Sequence, residues 1–99
     1  MVNERGSDIT WDELVLLYIF AHGAAWGKDL TVNVTGHPQR TYRVIKKLLN
    51  KGLIERVEKI VEIEGTNIRN RVVFYILTKE GLKVAKELAK KWLNLPDRS

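Results

Sequence analysis

The stretch His37 to Glu55, HPQRTYRVIKKLLNKGLIE, decides how the rest of the chain reads. It carries five basic side chains, Arg40, Arg43, Lys46, Lys47 and Lys51, and meets its first acid only at Glu55. Thr41, Ile45 and Leu48, flanked by Val44 and Leu49, recur at helical spacing. A helix turns once in about 3.6 residues, so these positions share a face. Gln39, Arg40, Arg43, Lys46, Lys47 and Asn50 are then expected to project from the opposite face. The spacing predicts a helix from Pro38 to Asn50 or Lys51, about 20 Å long. Gly36 breaks the chain before it, His37 is expected to cap it, and Pro38 suits the first turn, where its missing N–H costs nothing. Gly52 stands at the C-terminal glycine position. A helix with one side held on a core and the other uniformly cationic suits the DNA major groove.

Upstream, a helix is expected from Trp11 to His22. Thr10 can cap it, and Glu13 three residues later completes a capping box. Trp11, Leu14, Val15 and Tyr18 form one stripe. Leu17, Ile19 and Phe20 are apolar as well, so the helix should be covered on more than one side. Between it and the basic stretch lies GAAWGKDLTVNVTG, residues 23–36, punctuated by Gly23 and Gly27. Thr31, Val32 and Val34 favour a strand by propensity, but a short helix over Lys28 to Val34 gives a compact turn into the next helix, and a short helix is expected.

Downstream, Leu53 to Glu64 (LIERVEKIVEIE) and Arg71 to Leu77 (RVVFYIL) read as two strands. The connector EGTNIRN is rich in turn formers, so the pair should form an antiparallel hairpin with Arg69 and Arg71 at or near its tip. Ile60 beside Val61 suggests a bulge or twist. The second strand is apolar on both faces (Val73, Tyr75 and Leu77 against Val72, Phe74 and Ile76), which argues for cover on both sides. A last helix is expected after Thr78, an N-cap, running to about Asn94 and stopped by Pro96. Leu82, Ala85, Leu88, Ala89, Trp92 and Leu95 form its stripe, narrow enough for a coiled-coil seam. That stripe either packs on its own domain or pairs two copies.

Ninety-nine residues make one small domain, with 10–78 as core and wing and 79–95 as the C-terminal helix. The fold class is α+β, mostly α. No run of 18 or more apolar residues occurs, so no membrane span is expected. The start, MVNERGSDIT, has no hydrophobic signal core, and a cytoplasmic protein is expected. Without cysteine there is neither disulfide nor thiolate metal site. Abundant Lys, Glu, Ile and Val with a single Met lean toward a thermophile. The net charge of +5 is unevenly spread. Residues 28–51 carry +5, while residues 1–27 carry −3. A focused cationic patch attracts polyanions. The Lys-rich last helix, by contrast, reads as an ordinary solvated surface.

The order helix, short element, helix, hairpin, helix matches the winged helix-turn-helix. Thr35 to Glu55 resembles the recognition helix and first wing strand of MarR-type and PadR-type regulators. Lys51-Gly52-Leu53-Ile54 resembles their K-G-L-I junction. Tyr75-Ile76-Leu77-Thr78-Lys79-Glu80-Gly81 resembles their Y-x-L-T-x-x-G entry into the final helix. The resemblance covers roughly residues 10–95 and implies dimeric, sequence-specific DNA binding. The chain is shorter than full MarR-type regulators, so a minimal archaeal or viral type is the closer picture, with no small-molecule effector expected.

On this reading Gln39, Arg40 and Arg43 can reach base edges, since Arg suits guanine and Gln suits adenine. Lys46, Lys47 and Asn50 are expected at phosphates, with His37 at the helix start. Tyr42, at the stripe's edge, either packs its ring while its hydroxyl meets a phosphate or is a half-buried boundary residue. Asn67, Arg69 and Arg71 on the wing either enter a minor groove or merely keep the hairpin soluble. Leu17 and Phe20 join Leu82, Ala85, Leu88, Ala89, Trp92 and Leu95 as expected dimer contacts, on the first helix, the last, or both. His22 and His37 lack further ligands for a metal, and Glu55, Glu58, Glu62 and Glu64 alternate as a solvent face would. No catalytic or cofactor motif is present, so neither an enzyme nor a cofactor is expected. The alternative function is a winged helix that binds another protein.

Overall fold

Thr10 starts the first helix in the expected manner. Its hydroxyl accepts the Glu13 amide at 3.2 Å, and the Glu13 carboxylate accepts the Thr10 amide at 3.0 Å. In this computed structural model, which describes residues 9–93, α1 spans Trp11–His22. The end of the last helix near Asn94, its stop at Pro96 and the dimer candidate Leu95 lie outside the described residues.

The ambiguous segment is helical. α2 spans Gly27–Leu30 and continues in π-helical turns over Thr31–Thr35. The widened turn closes when the Gly36 amide donates to the Thr31 carbonyl at 2.7 Å, five residues back. Gly36 reaches it at a φ of +75°, a conformation that favours glycine. Strand propensity at Thr31, Val32 and Val34 loses to packing, because Leu30 and Thr35 are buried only if the segment coils.

α3 spans Pro38–Asn50 and buries Thr41, Val44, Ile45 and Leu48, as its spacing predicts. His37 holds the N-cap position, but its imidazole makes no capping bond. The His37 backbone is held by Thr35, whose hydroxyl accepts the His37 amide at 3.1 Å.

β1 spans Ile54–Glu62 and β2 spans Arg69–Leu77. They pair antiparallel without interruption from Ile54 opposite Leu77 to Glu62 opposite Arg69. The bulge expected at Ile60 and Val61 is therefore absent. Strict alternation sends these two side chains to opposite faces, and both are exposed. Ala25 adds a short third rung outside β2, exchanging both backbone hydrogen bonds with Tyr75 at 3.0 and 2.8 Å.

Cross-strand partners share a face of the hairpin. Val73, Tyr75 and Leu77 turn toward the helices and pack on the core. Val72, Phe74 and Ile76 turn the other way, are half-buried, and lie outside the core cluster. Cover on both sides, expected from the sequence, is not provided by the described chain.

α4 spans Lys79–Leu93 and packs on α1. Thr78 ties three elements together at its start. Its hydroxyl accepts the Gly81 amide at 3.0 Å and donates to the Gly52 carbonyl at 2.7 Å, while its amide donates to the Leu53 carbonyl at 3.1 Å. Gly81 is buried directly against that Leu53 carbonyl.

The core joins Val15, Leu16, Leu17 and Ile19 of α1 to Leu30, Val44, Ile45, Leu48, Ile54, Tyr75, Leu88 and Ala89. Four expected dimer contacts, Leu17, Ala85, Leu88 and Ala89, are thereby consumed within the chain. A helix that is apolar nearly all round uses its own domain for cover first. Of the remainder, Phe20 and Trp92 are half-buried and Leu82 is exposed. Trp11 and Trp26 are 40% and 51% exposed. The result is the winged-helix arrangement, three helical segments followed by a β-hairpin wing and a C-terminal helix. Among the described residues no helix is long and apolar enough to cross a membrane.

Candidate nucleic-acid interface

The outer face of α3 is built from its inner one. Burying Val44, Ile45 and Leu48 contributes about 1.5–3 kcal/mol each, and this anchors the helix in rotation. Gln39, Arg43, Lys46 and Asn50 then follow at i, i+4, i+7 and i+11 and line the middle of the exposed face. His37 is exposed at the helix start. Among the described residues no carboxylate pairs with Arg43, Lys46 or Lys51. Like charges one turn apart repel by about 0.2–0.5 kcal/mol per pair, a cost that a bound polyanion would remove.

Arg40 and Lys47 sit on the flank of this stripe that faces α1, and the structure occupies both. The Arg40 guanidinium donates to the Thr35 carbonyl at 3.1 Å and lies 4.8 Å from the Trp11 ring centre. Lys47 pairs with Asp12 at 3.3 Å. Thr10, Trp11 and Asp12 thus face Arg40, Arg43, Val44 and Lys47 across a shallow cleft. Sequence reasoning placed Arg40 and Lys47 free with the rest. The missed signal is angular: at about 100° per residue, Arg40 and Lys47 lie roughly 100° and 80° round the helix from Gln39, on the side toward α1.

Tyr42 lies on the other flank and is 54% exposed. Its ring packs against Gly27, where a β-carbon would come within 2.5 Å of its hydroxyl oxygen. Tyr42 is thus exposed rather than half-buried, with its ring supported by Gly27.

The joint between α2 and α3 is a buried hydroxyl cluster that the sequence reading did not single out. Thr41 is fully buried. Its Oγ1 lies 2.8 Å from that of Thr31 and 2.6 Å from that of Thr35, and it donates to the His37 carbonyl at 3.1 Å. One proton arrangement satisfies every group: Thr31 and Thr35 donate to Thr41, Thr41 donates to His37, and Thr35 accepts the His37 amide. This cluster sets how α3 leaves α2, and with it the aim of the exposed stripe. Threonines at 31 and 35, one helical turn apart, were the available signal.

The wing candidates do not join the α3 stripe. Arg69 stands eight residues from the base of β2, about 26 Å out at ~3.3 Å per residue. Asn67, Arg69 and Arg71 are all exposed. Arg69 reaches Glu62 at 4.0 Å, and Arg71 reaches Glu58 at 3.4 Å, so the two guanidiniums are partly neutralised. At exposed positions such pairs are worth little and exchange readily for a better anion.

No protein-family model matches this chain, and no curated protein sequence does either. Solved structures do match. ZitR from Lactococcus lactis, wild type in complex with DNA, aligns with a TM-score of 0.62 and 26% identity, over 92% of this chain and 60% of that one. A double mutant of ZitR in apo form aligns with a TM-score of 0.63 and 23% identity, over 85% of this chain and 58% of that one. This chain thus spans about three fifths of the length of the structures it matches. The likeness is one of fold, and it identifies the chain as a winged-helix domain.

Proposed function

We propose that this chain is a sequence-specific double-stranded DNA-binding transcriptional regulator that acts as a homodimer. α3 enters the major groove, and the wing, residues 64–71, meets the adjacent minor groove. The observation that carries the reading is the exposed stripe Gln39, Arg43, Lys46 and Asn50, free of acids, on a helix whose other side is core. The likeness in fold to ZitR, solved in complex with DNA, supports it.

Within this reading Gln39 and Arg43 meet base edges, while Lys46 and Asn50 meet phosphates. Arg40 and Lys47 act from the flank: Arg40 holds the joint, and Lys47 leaves Asp12 for a phosphate. Two half-sites about one helical turn apart would match a two-fold dimer.

The test is a gel-shift titration on selected and random duplexes. Arg43→Ala should weaken specific binding by about 1–3 kcal/mol, and Lys46→Ala should weaken both duplexes alike. Affinity should fall steeply with salt, with a log–log slope near −0.9 per phosphate contacted. Absence of salt-dependent retention on duplex DNA would overturn the reading in favour of a module that binds protein.

A further inference from the structure

The hairpin has one largely apolar face outside the core, half-buried at Val57, Val72, Phe74 and Ile76 and exposed toward its tip. Register assigns its members. Glu55, Val57, Lys59 and Val61 of β1 stand opposite Ile76, Phe74, Val72 and Asn70 of β2, all on the side turned away from the core. Beyond the strands the Ile63 amide donates to the Ile68 carbonyl at 2.9 Å and extends the same face. Val61, Ile63 and Ile68 are 46%, 45% and 56% exposed. The face is about 30 Å long at ~3.3 Å per residue. At its base it runs into an apolar groove lined by Phe20, Gly23, Ile76 and Leu82. Contiguous apolar surface on this scale marks an interaction site.

The charges on this face select its occupant. Glu55 and Lys59 are its two charged residues, both exposed, and neither pairs with an opposite charge among the described residues. They stand two residues either side of Val57, whose cross-strand partner is Phe74. A two-fold axis passing beside Val57 and Phe74, across the strands, lays β1 antiparallel over β1 of a second copy. Glu55 of each copy then meets Lys59 of the other, twice. Phe74 meets its own equivalent, and Ile76 meets Val72. The same operation carries Ile63 and Ile68 past the partner's hairpin base, over the Phe20–Leu82 groove. A face that complements itself in both charge and apolar pattern is the signature of an isologous contact.

We infer that this chain dimerises through the outer face of its wing, sheet on sheet, rather than through the seam of α4. The inference rests on the homodimer in the proposed function and names its surface. Face-to-face packing at about 10 Å with strands within ~30° is the ordinary geometry for two such sheets. It leaves the α3 stripe unused, and the wing arginines Arg69 and Arg71, which the register puts on the opposite hairpin face, also stay off the contact. The hairpin face alone, about 30 Å by 10 Å, is short of the roughly 800 Å² per partner that a stable pair buries, so the basal groove is a required part of the contact.

The test is the solution mass of the full chain by light scattering over a concentration series. The wild type should show twice the 11.4 kDa of one chain. Glu55→Lys and Lys59→Glu should each raise the dissociation midpoint at least tenfold, and the double change Glu55→Lys/Lys59→Glu should restore it. Phe74→Lys should give a monomer with unchanged helical circular dichroism; if that variant fails to fold, the exposed charge series decides alone. A monomeric wild type, or a dimer that ignores both single charge reversals, overturns the inference. Gel shifts of Arg43→Ala on the same preparations judge the DNA reading separately.

Discussion

Thr41→Val tests whether the hydroxyl cluster is the joint of the helix pair. Valine keeps the shape and the buried methyl, so the change removes only the hydroxyl. Three bonds disappear, to Thr31, Thr35 and His37, at 2.8, 2.6 and 3.1 Å. Each net bond is worth about 1 ± 0.5 kcal/mol. The loss is softened because both neighbours have backbone acceptors in reach: Thr31 can donate to the Gly27 carbonyl and Thr35 to the His37 carbonyl, each at 3.0 Å. No donor is left buried and bare, so the larger desolvation penalty of about 1–3 kcal/mol does not apply. The expected cost is therefore about 1–2 kcal/mol. In a domain of this size that lowers Tm by roughly 4–8 °C per kcal/mol. Urea unfolding followed by circular dichroism measures it. A double-mutant cycle with Thr35→Val should return a coupling of about 0.5–1 kcal/mol, since the two hydroxyls share a bond. A neutral or stabilising Thr41→Val, or strict additivity with Thr35→Val, refutes the reasoning.

Two further perturbations separate packing from recognition. Gly81→Ala should destabilise by about 3 kcal/mol or more, although alanine favours a helix by about 1 kcal/mol, because the new β-carbon overlaps the Leu53 carbonyl oxygen and lies 2.8 Å from its carbon; a higher Tm in a thermal melt would contradict this. Arg40→Ala should cost about 1–2 kcal/mol of stability through its bond to Thr35 and its contact with Trp11. It should leave the ratio of specific to random DNA affinity unchanged, and a collapse of that ratio in gel shifts would make Arg40 a base reader after all.

The two helix starts show where local chemistry was enough. The Thr10–Glu13 capping box and the Pro38 start depend on residues within one turn, and both appear where the sequence placed them. The α3 stripe was equally legible, because 3.6-residue periodicity needs no knowledge of the partner surface. The start of α3 was less legible: the His37 imidazole was the local candidate for a cap and makes no capping bond, while the Thr35 hydroxyl accepts the His37 amide.

The order of elements, the glycine and proline boundaries, the hairpin and the cationic side of α3 were all present in the chain's own spacing. These follow from interactions that reach one turn or one rung along the backbone. Tertiary packing alone decided three other matters. It turned Arg40 and Lys47 from free cations into partners of α1. It absorbed Leu17, Ala85, Leu88 and Ala89 into the monomer core. It left Val72, Phe74 and Ile76 half-buried outside the core while Val73, Tyr75 and Leu77 pack in or on it. An apolar residue records that it avoids water; which surface shields it depends on how distant elements meet, and that geometry is not written at any single position.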